Sequence, residues 1–273
     1  MADEFGYPIE NVEIVHGDTE TTPQGWGTYG SRTTAVGGSA VATAARRVKE
    51  KAKKVAAHLM EANEADVEWN DGKFVVKGSP GTGKSFAEVA LMANVGWNMP
   101  EGVEPGLEAS AFFDPSNFVY PFGTHICTVE VNVETGQVRI LRYIAVDDCG
   151  RQINPMIVDG QVHGGVIQGL GEALQEIVIY DDAGQLLTGT MMDYAVPKAS
   201  QMPHVETAHT VTPSPVNPLG VKGVGEAGTI PAAACLVSAV CDALSPLGIK
   251  HIDKPLTPAR VWAAIQQAKG GLQ

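Results

Sequence analysis

Against a typical domain size of about 150 residues, the 273 residues suggest one large domain or two ordinary ones, enough to bury a core. A hydrophobic share of 44% with 18% charged residues excludes a disordered, collagenous or coiled-coil chain. Nineteen basic against 31 acidic side chains leave a net charge of -12, which argues against a nucleic-acid partner held by bulk electrostatics.

The opening MADEFGYPIE has neither the basic nor the apolar part of a signal peptide, and no apolar run nears the ~20 residues of a membrane span. A cytoplasmic protein without a membrane partner is expected. Residues 12–16 read as a short strand. They run into GDTETTPQGWGTYGSRTTAVGG at 17–38, a loop with six glycines that can press its main-chain N–H groups against a ligand. From Ser39 to Asn63, Val41, Ala45, Val48, Ala52, Val55 and Leu59 recur every three or four residues and predict a helix with one buried stripe. Its other face carries Arg46, Arg47, Lys49, Lys51, Lys53 and Lys54, which in so acidic a chain reads as a solvated face.

VEWNDGKFVVKG predicts a hairpin turning at Asn70, Asp71 and Gly72, and Ser85 with Glu88 forms a capping box opening a helix to about Val95. The Pro- and Gly-rich stretch at 99–121 marks a boundary between a first part at 1–110 and a second at 111–273. The second part opens with strands HICTVEVNV and QVRILRYIAVDD around Glu134-Thr135-Gly136. A helix from about Asn154 to Glu176 follows, interrupted by glycines. Each costs about 1 kcal/mol against alanine, so the cluster between Gly164 and Gly171 requires close approach of another main chain or a cofactor. A hairpin at Asp182-Ala183-Gly184, a strand at 205–211, a helix with Pro231 in its first turn and a last helix from Thr257-Pro258 complete the chain. Strands and helices mix without a βαβ rhythm, which places the fold in the α+β class. Cys127, Cys149, Cys235 and Cys241 form no CxxC pair, so they read as reduced, buried thiols and not as metal ligands.

Two segments carry chemical motifs. GSPGTGKS at 78–85 matches the phosphate-binding pattern GxxxxGK[ST], with Asp147-Asp148 available as a magnesium partner. A phosphate loop, however, leaves a buried parallel strand, and here the upstream strand is one arm of a short polar hairpin. A nucleotide-binding protein is therefore the least favoured reading. GVKGVGEAG at 220–228 places four glycines, Lys222 and Glu226 just before a helix. The glycines expose main chain, the helix start favours anions, and Lys222 supplies positive charge; a tight turn with Glu226 beside the helix N-terminus fits equally well.

Taken together, GVKGVGEAG, INPMIVDGQVHGGVIQGLGEAL and GDTETTPQGWGTYGSR resemble the molybdenum-binding large subunit of the xanthine oxidase family of hydroxylases. The likeness is above all to the aerobic carbon monoxide dehydrogenase type and its aldehyde- and heterocycle-oxidising relatives, and it runs in register from about Ile9 to Leu244. The resemblance implies a molybdenum-pyranopterin cofactor in the molybdopterin cytosine dinucleotide form. Glu226 matches the family's general base, which assists attack of a water-derived oxygen on the substrate carbon. That role calls for a buried carboxyl, against the opposite influence of a helix start. In the carbon monoxide enzymes a copper also takes part. Gln168 and Gly169 match the QG pair against the pterin. Gly27, Thr28, Tyr29, Ser31 and Arg32 match the segment whose main chain and hydroxyls hold the dinucleotide, and Lys222, Gly223 and Val224 match the loop on the pterin side. No protein ligand to the metal is implied.

The chain begins in what would be the middle of such a subunit, without the upstream Gly-rich, substrate-selecting and GQG-type loops. The resemblance therefore implies a split or partial subunit that works with the upstream half, an iron-sulfur subunit and a flavin (FAD) subunit on a small-molecule substrate, and that carries little molybdenum alone. A non-catalytic structural fragment of the same fold is the alternative.

Overall fold

The computed structural model describes residues 1–22 and 25–270. Pro23 and Gln24, within the predicted Gly-rich loop, and residues 271–273 lie outside the described residues. Two compact units emerge: one of Met1–Thr28, Thr33–Ser116 and Asn217–Leu219, the other of Tyr29–Arg32, Asn117–Val216 and the chain from Gly220 onward.

The first unit is built on α2 (Ser39–Leu59), preceded by a single turn α1 (Ala2–Phe5). It also contains a three-stranded antiparallel sheet, β1 (Val67–Asn70), β2 (Lys73–Val76) and β3 (Ser79–Ser85), and α3 (Phe86–Val95). Ala52, Val55 and Ala56 of α2 pack with Val67, Phe74 and Val89 into a common core. The predicted stripe shifts at its start: Val41 is 49% exposed, and Ala56 is buried. At 3.6 residues per turn a stripe drifts around the helix, and only its later turns face the sheet. Three of the basic side chains fasten the unit, among them Lys51, whose ammonium donates to the Pro105 carbonyl at 3.4 Å. Lys49 reaches Glu4 at 3.1 Å and lies over the Trp69 ring, and Arg47 donates to the Ser110 carbonyl.

The nucleotide motif folds as β3, paired along β2 with Phe74 opposite Lys84 and Val75 opposite Gly83. In a strand, N–H groups point alternately to opposite sides and do not converge on one anion. Ser85 caps α3: its hydroxyl accepts the Glu88 N–H and donates to the Glu88 carboxylate, while Lys84 lies 3.6 Å from Glu88. The phosphate-loop reading therefore fails, because both motif side chains serve a helix start.

In the second unit, β4 (Phe122–Val131) and β5 (Val138–Asp148) form a long antiparallel pair. α4 (Pro155–Leu174) follows, with Asn154 as its cap and proline in its first turn. β6 (Val205–His209) then pairs parallel with β5, so β5, α4 and β6 form one crossover unit that the α+β reading did not anticipate. The irregular residues between α4 and β6 hide that rhythm in the sequence. α5 (Thr229–Ala243) and α6 (Pro258–Ala268) complete the unit. Its core runs through Tyr143, Val162, Val166, Leu170, Leu236 and Val261.

The α4 glycines answer the question raised by their cost. A Cβ on Gly165 would lie 3.0 Å from the Thr229 nitrogen, and one on Gly169 would lie 2.7 Å from the Ala232 Cβ and 2.8 Å from the Thr229 oxygen. These two positions let α5 approach at main-chain distance. Gly160 and Gly164 differ, since a Cβ on either meets nothing within 4 Å.

Candidate functional site

The loop at 220–228 is held to the end of β5 by main-chain and side-chain bonds. Gly150 bridges Val221, the Lys222 N–H donates to the Cys149 carbonyl at 2.7 Å, and the Arg151 N–H donates to the Gly220 carbonyl at 2.9 Å. The Lys222 ammonium lies 3.1 Å from Asp148 and 4.3 Å from the centre of the Phe122 ring, with side-chain exposures of 9% for Lys222 and 0% for Asp148. Asp148 also accepts from the Gly150 N–H and the Thr210 hydroxyl. Burial alone raises a carboxyl, but here it is outweighed by hydrogen bonds from Gly150, Thr212 and Lys222, which hold Asp148 well below the usual carboxylate range. The positive charge that the sequence offered to an anion thus faces a carboxylate inside the protein. Neither acid of the Asp147-Asp148 pair stands free, since Asp147 lies 3.4 Å from the His125 ring.

Beyond this anchor the loop meets the segment at 29–32. A Cβ on Gly223 would lie 2.7 Å from both the Cβ and the carbonyl oxygen of Ser31, so only glycine allows this approach. Ser31 itself sits at φ +54°, directly after Gly30 at φ +59°. Its hydroxyl donates to Glu226 Oε2 at 2.7 Å and accepts the Glu226 N–H at 3.0 Å. The Ile230 N–H then closes on the Glu226 carbonyl at the entry to α5. Gly228 packs against α4, where a Cβ would lie 2.5 Å from the Val162 oxygen.

Glu226 is exposed, contrary to the buried carboxyl expected of it. Its neighbours are Gly225 and Ala227, too small to shield it, and among the described residues Oε1 accepts no hydrogen bond. Tyr29 and Arg32 share a contact, the guanidinium lying 5.3 Å from the ring centre and donating to the phenol oxygen at 3.2 Å. Val224 is half-buried and accepts the Ala227 N–H. Gly27 and Thr28 belong to the first unit, where the Thr33 hydroxyl lies 3.2 Å from that of Thr28.

Gln168 is exposed on α4 while Gly169 is buried against α5. Gly160, Gln161, Gly164 and Gln168 fall on one exposed helix face. Gln161 was missed by the sequence reading, yet its seven-residue spacing from Gln168 signals a shared face, and its Oε1 lies 3.4 Å from where a Cβ on Gly225 would stand. This face bears on the cofactor: Gly160 and Gly164, which no contact among the described residues explains, share it with two amides that both donate and accept hydrogen bonds, and Gly164 lies between those amides. Bare main chain and paired amides suit the flat, mixed donor and acceptor edge of a pterin, so the residues present fit that group. Among the described residues no cluster of three His, Cys, Asp or Glu side chains is placed to hold a metal ion. No helix of the described residues is long and apolar enough to cross a membrane.

Residues 1–203 match the family model of the molybdopterin cofactor-binding domain. The chain belongs to that family. It is 45% identical over 267 residues to the carbon monoxide dehydrogenase large chain of Hydrogenophaga pseudoflava, covering 98% of this chain and 33% of the relative. The solved Cu,Mo-CO dehydrogenase in its carbon monoxide reduced state superposes with a TM-score of 0.94 at 42% identity, over 99% of this chain and 34% of that one. Quinoline 2-oxidoreductase from Pseudomonas putida 86 gives 0.89 at 42% identity, over 97% and 34%. The chain thus spans about a third of the length of the molybdenum-enzyme large chains it matches, and the family and mixed fold expected from the motifs are those found.

Proposed function

We propose that this chain is the portion of a molybdenum hydroxylase large subunit that carries the catalytic base, Glu226, and acts in oxidising a small substrate with oxygen from water. The substrate class is carbon monoxide, an aldehyde or an N-heterocycle, and the protein works in the cytoplasm. The observation that carries the reading is the state of Glu226: an exposed carboxylate between two small residues, with one oxygen held by Ser31 and the other accepting no hydrogen bond among the described residues. An acid paired with lysine, as Asp148 is, would make a poor base. Glu226 has no cation beside it among the ion pairs of the described residues.

Gln168 and the main chain at Lys222, Gly223 and Val224 would bind the pterin, while Gly169 faces α5 instead; Gly27, Thr28, Tyr29, Arg32 and the main chain of Ser31 would hold the cytosine dinucleotide portion. The molybdenum group, when bound, supplies a two-electron redox centre. This chain orients the substrate side of that centre and takes up a proton at Glu226. The upstream half of the subunit, an iron-sulfur subunit and a flavin subunit are the partners of the proposal. Exposed Ile153, Met156 and Ile157 at the start of α4, on the approach to its bare face, give the upstream half an apolar surface to cover.

In the assembled complex, Glu226→Gln should abolish turnover and leave the molybdenum content unchanged. Turnover retained at the wild-type rate would remove the base from position 226. Stoichiometric molybdenum in the chain purified alone would contradict the need for an upstream half.

A further inference from the structure

We propose that Ser31 is a positioning residue for Glu226, and that its hydroxyl serves the glutamate and not the dinucleotide. The inference rests on the reading of Glu226 as the base. The geometry is reciprocal: the Glu226 N–H points at Ser31 Oγ at 3.0 Å, and the same oxygen lies 2.7 Å from Glu226 Oε2. A hydroxyl owns one proton. With its oxygen accepting the N–H, that proton is directed to the carboxylate. A phosphate group only accepts hydrogen bonds at its ionised oxygens, so the donor it would need from Ser31 is already engaged. The dinucleotide is left to the main chain of this segment and to Tyr29 and Arg32.

Several features of the sequence serve this one contact. Ser31 holds φ +54°, a region that residues with side chains seldom enter. Gly223 has no room for a Cβ because Ser31 occupies the space, and a Cβ on Gly225 would lie 3.2 Å from the serine hydroxyl. The two segments are 195 residues apart in the chain. The contact fixes the rotation of the carboxylate and takes up Oε2, so Oε1 is the oxygen left to accept a proton. A base held in one orientation loses less entropy on reaching the reactive geometry than one free to turn.

The test uses the assembled complex with Ser31→Ala, Ser31→Gly, Glu226→Gln and the double variant Ser31→Ala/Glu226→Gln. Both serine variants should lower kcat by about 10- to 100-fold, the worth of a hydrogen bond to a charged group. KM, molybdenum content and dinucleotide content should stay at wild-type values. Crystal structures of the two variants should show the Glu226 carboxylate turned from its wild-type position, a readout independent of turnover. Ser31→Ala should add nothing to Glu226→Gln, since a positioning residue has no effect once its target is gone.

Glycine adopts positive φ freely, so wild-type kcat in Ser31→Gly would show that only the backbone shape matters and would overturn the proposal. Dinucleotide lost from Ser31→Ala would overturn it as well, by returning the hydroxyl to the cofactor. If Glu226→Gln is inactive and the serine variants are fully active, the positioning role fails and the base stands. If Glu226→Gln retains turnover, both fall.

Discussion

Replacing one glycine from each face of α4 by alanine separates the positions that admit α5 from those that do not. A Cβ at Gly169 would stand 2.7 Å from the Ala232 Cβ and 2.8 Å from the Thr229 oxygen. Carbon atoms settle at about 3.5 to 4.0 Å, so the helices must part by roughly 1 Å. At Gly164 the same methyl meets nothing within 4 Å. Both substitutions gain the same helix propensity, about 1 kcal/mol, which cancels when the variants are compared with each other. Overpacking of a well-filled contact costs about 1–3 kcal/mol, and that is the expected gap, with Gly164→Ala the more stable. Urea unfolding of the chain followed by far-ultraviolet circular dichroism reads the difference as a shift in midpoint at constant slope. Coincident midpoints for the two variants would refute the claim that Gly169 sets the approach of α5.

Gly164→Ala should also lower the molybdenum content of the assembled complex, measured by elemental analysis, because it covers the face assigned to the pterin; full occupancy would free that face of the role. Lys222→Met strands a buried Asp148 and should cost about 3–5 kcal/mol, most of it recovered in Lys222→Met/Asp148→Asn, as a double-mutant cycle in urea would show. The acid limb follows from the lowered Asp148 carboxyl: its stability is fully present above the usual carboxylate range and is lost as pH falls below it. The stability gap between wild type and Asp148→Asn should therefore be wide at neutral pH and close on acidification below about pH 4; a gap independent of pH would count against the ion pair. Burial, with a smaller contribution from Cys235, pushes the Cys127 thiol up to about 12, so iodoacetamide at neutral pH should label it only after unfolding, as read by peptide mass spectrometry. Labelling of native Cys127 at the rate of a free thiol would contradict its packing from β4 against the core.

The features legible in the sequence are those set by neighbours along the chain. The capping box at Ser85 and Glu88, the hairpin at Asn70 to Gly72, and Pro231 and Pro258 in the first turns of α5 and α6 each involve residues within four positions. Local periodicity likewise located α2, though not the exposure of Val41. β3 was hidden because GSPGTGKS has poor strand propensity and is extended only through pairing with β2. The parallel position of β6 was equally out of reach, since it is set by the packing of α4 on the sheet.

At the site, chain order and residue type alone determined that a glutamate among glycines would precede a helix, and that three glycine-bearing motifs would occur in one family's order. Glycine allows close approach but does not say to what. Only the tertiary structure decided that Gly223 makes room for Ser31, that Gly169 makes room for α5, and that Lys222 turns inward to Asp148. The reason is one of distance: hydrogen bonds and van der Waals contacts act over a few ångströms, while Ser31 and Glu226 are 195 residues apart until the chain folds.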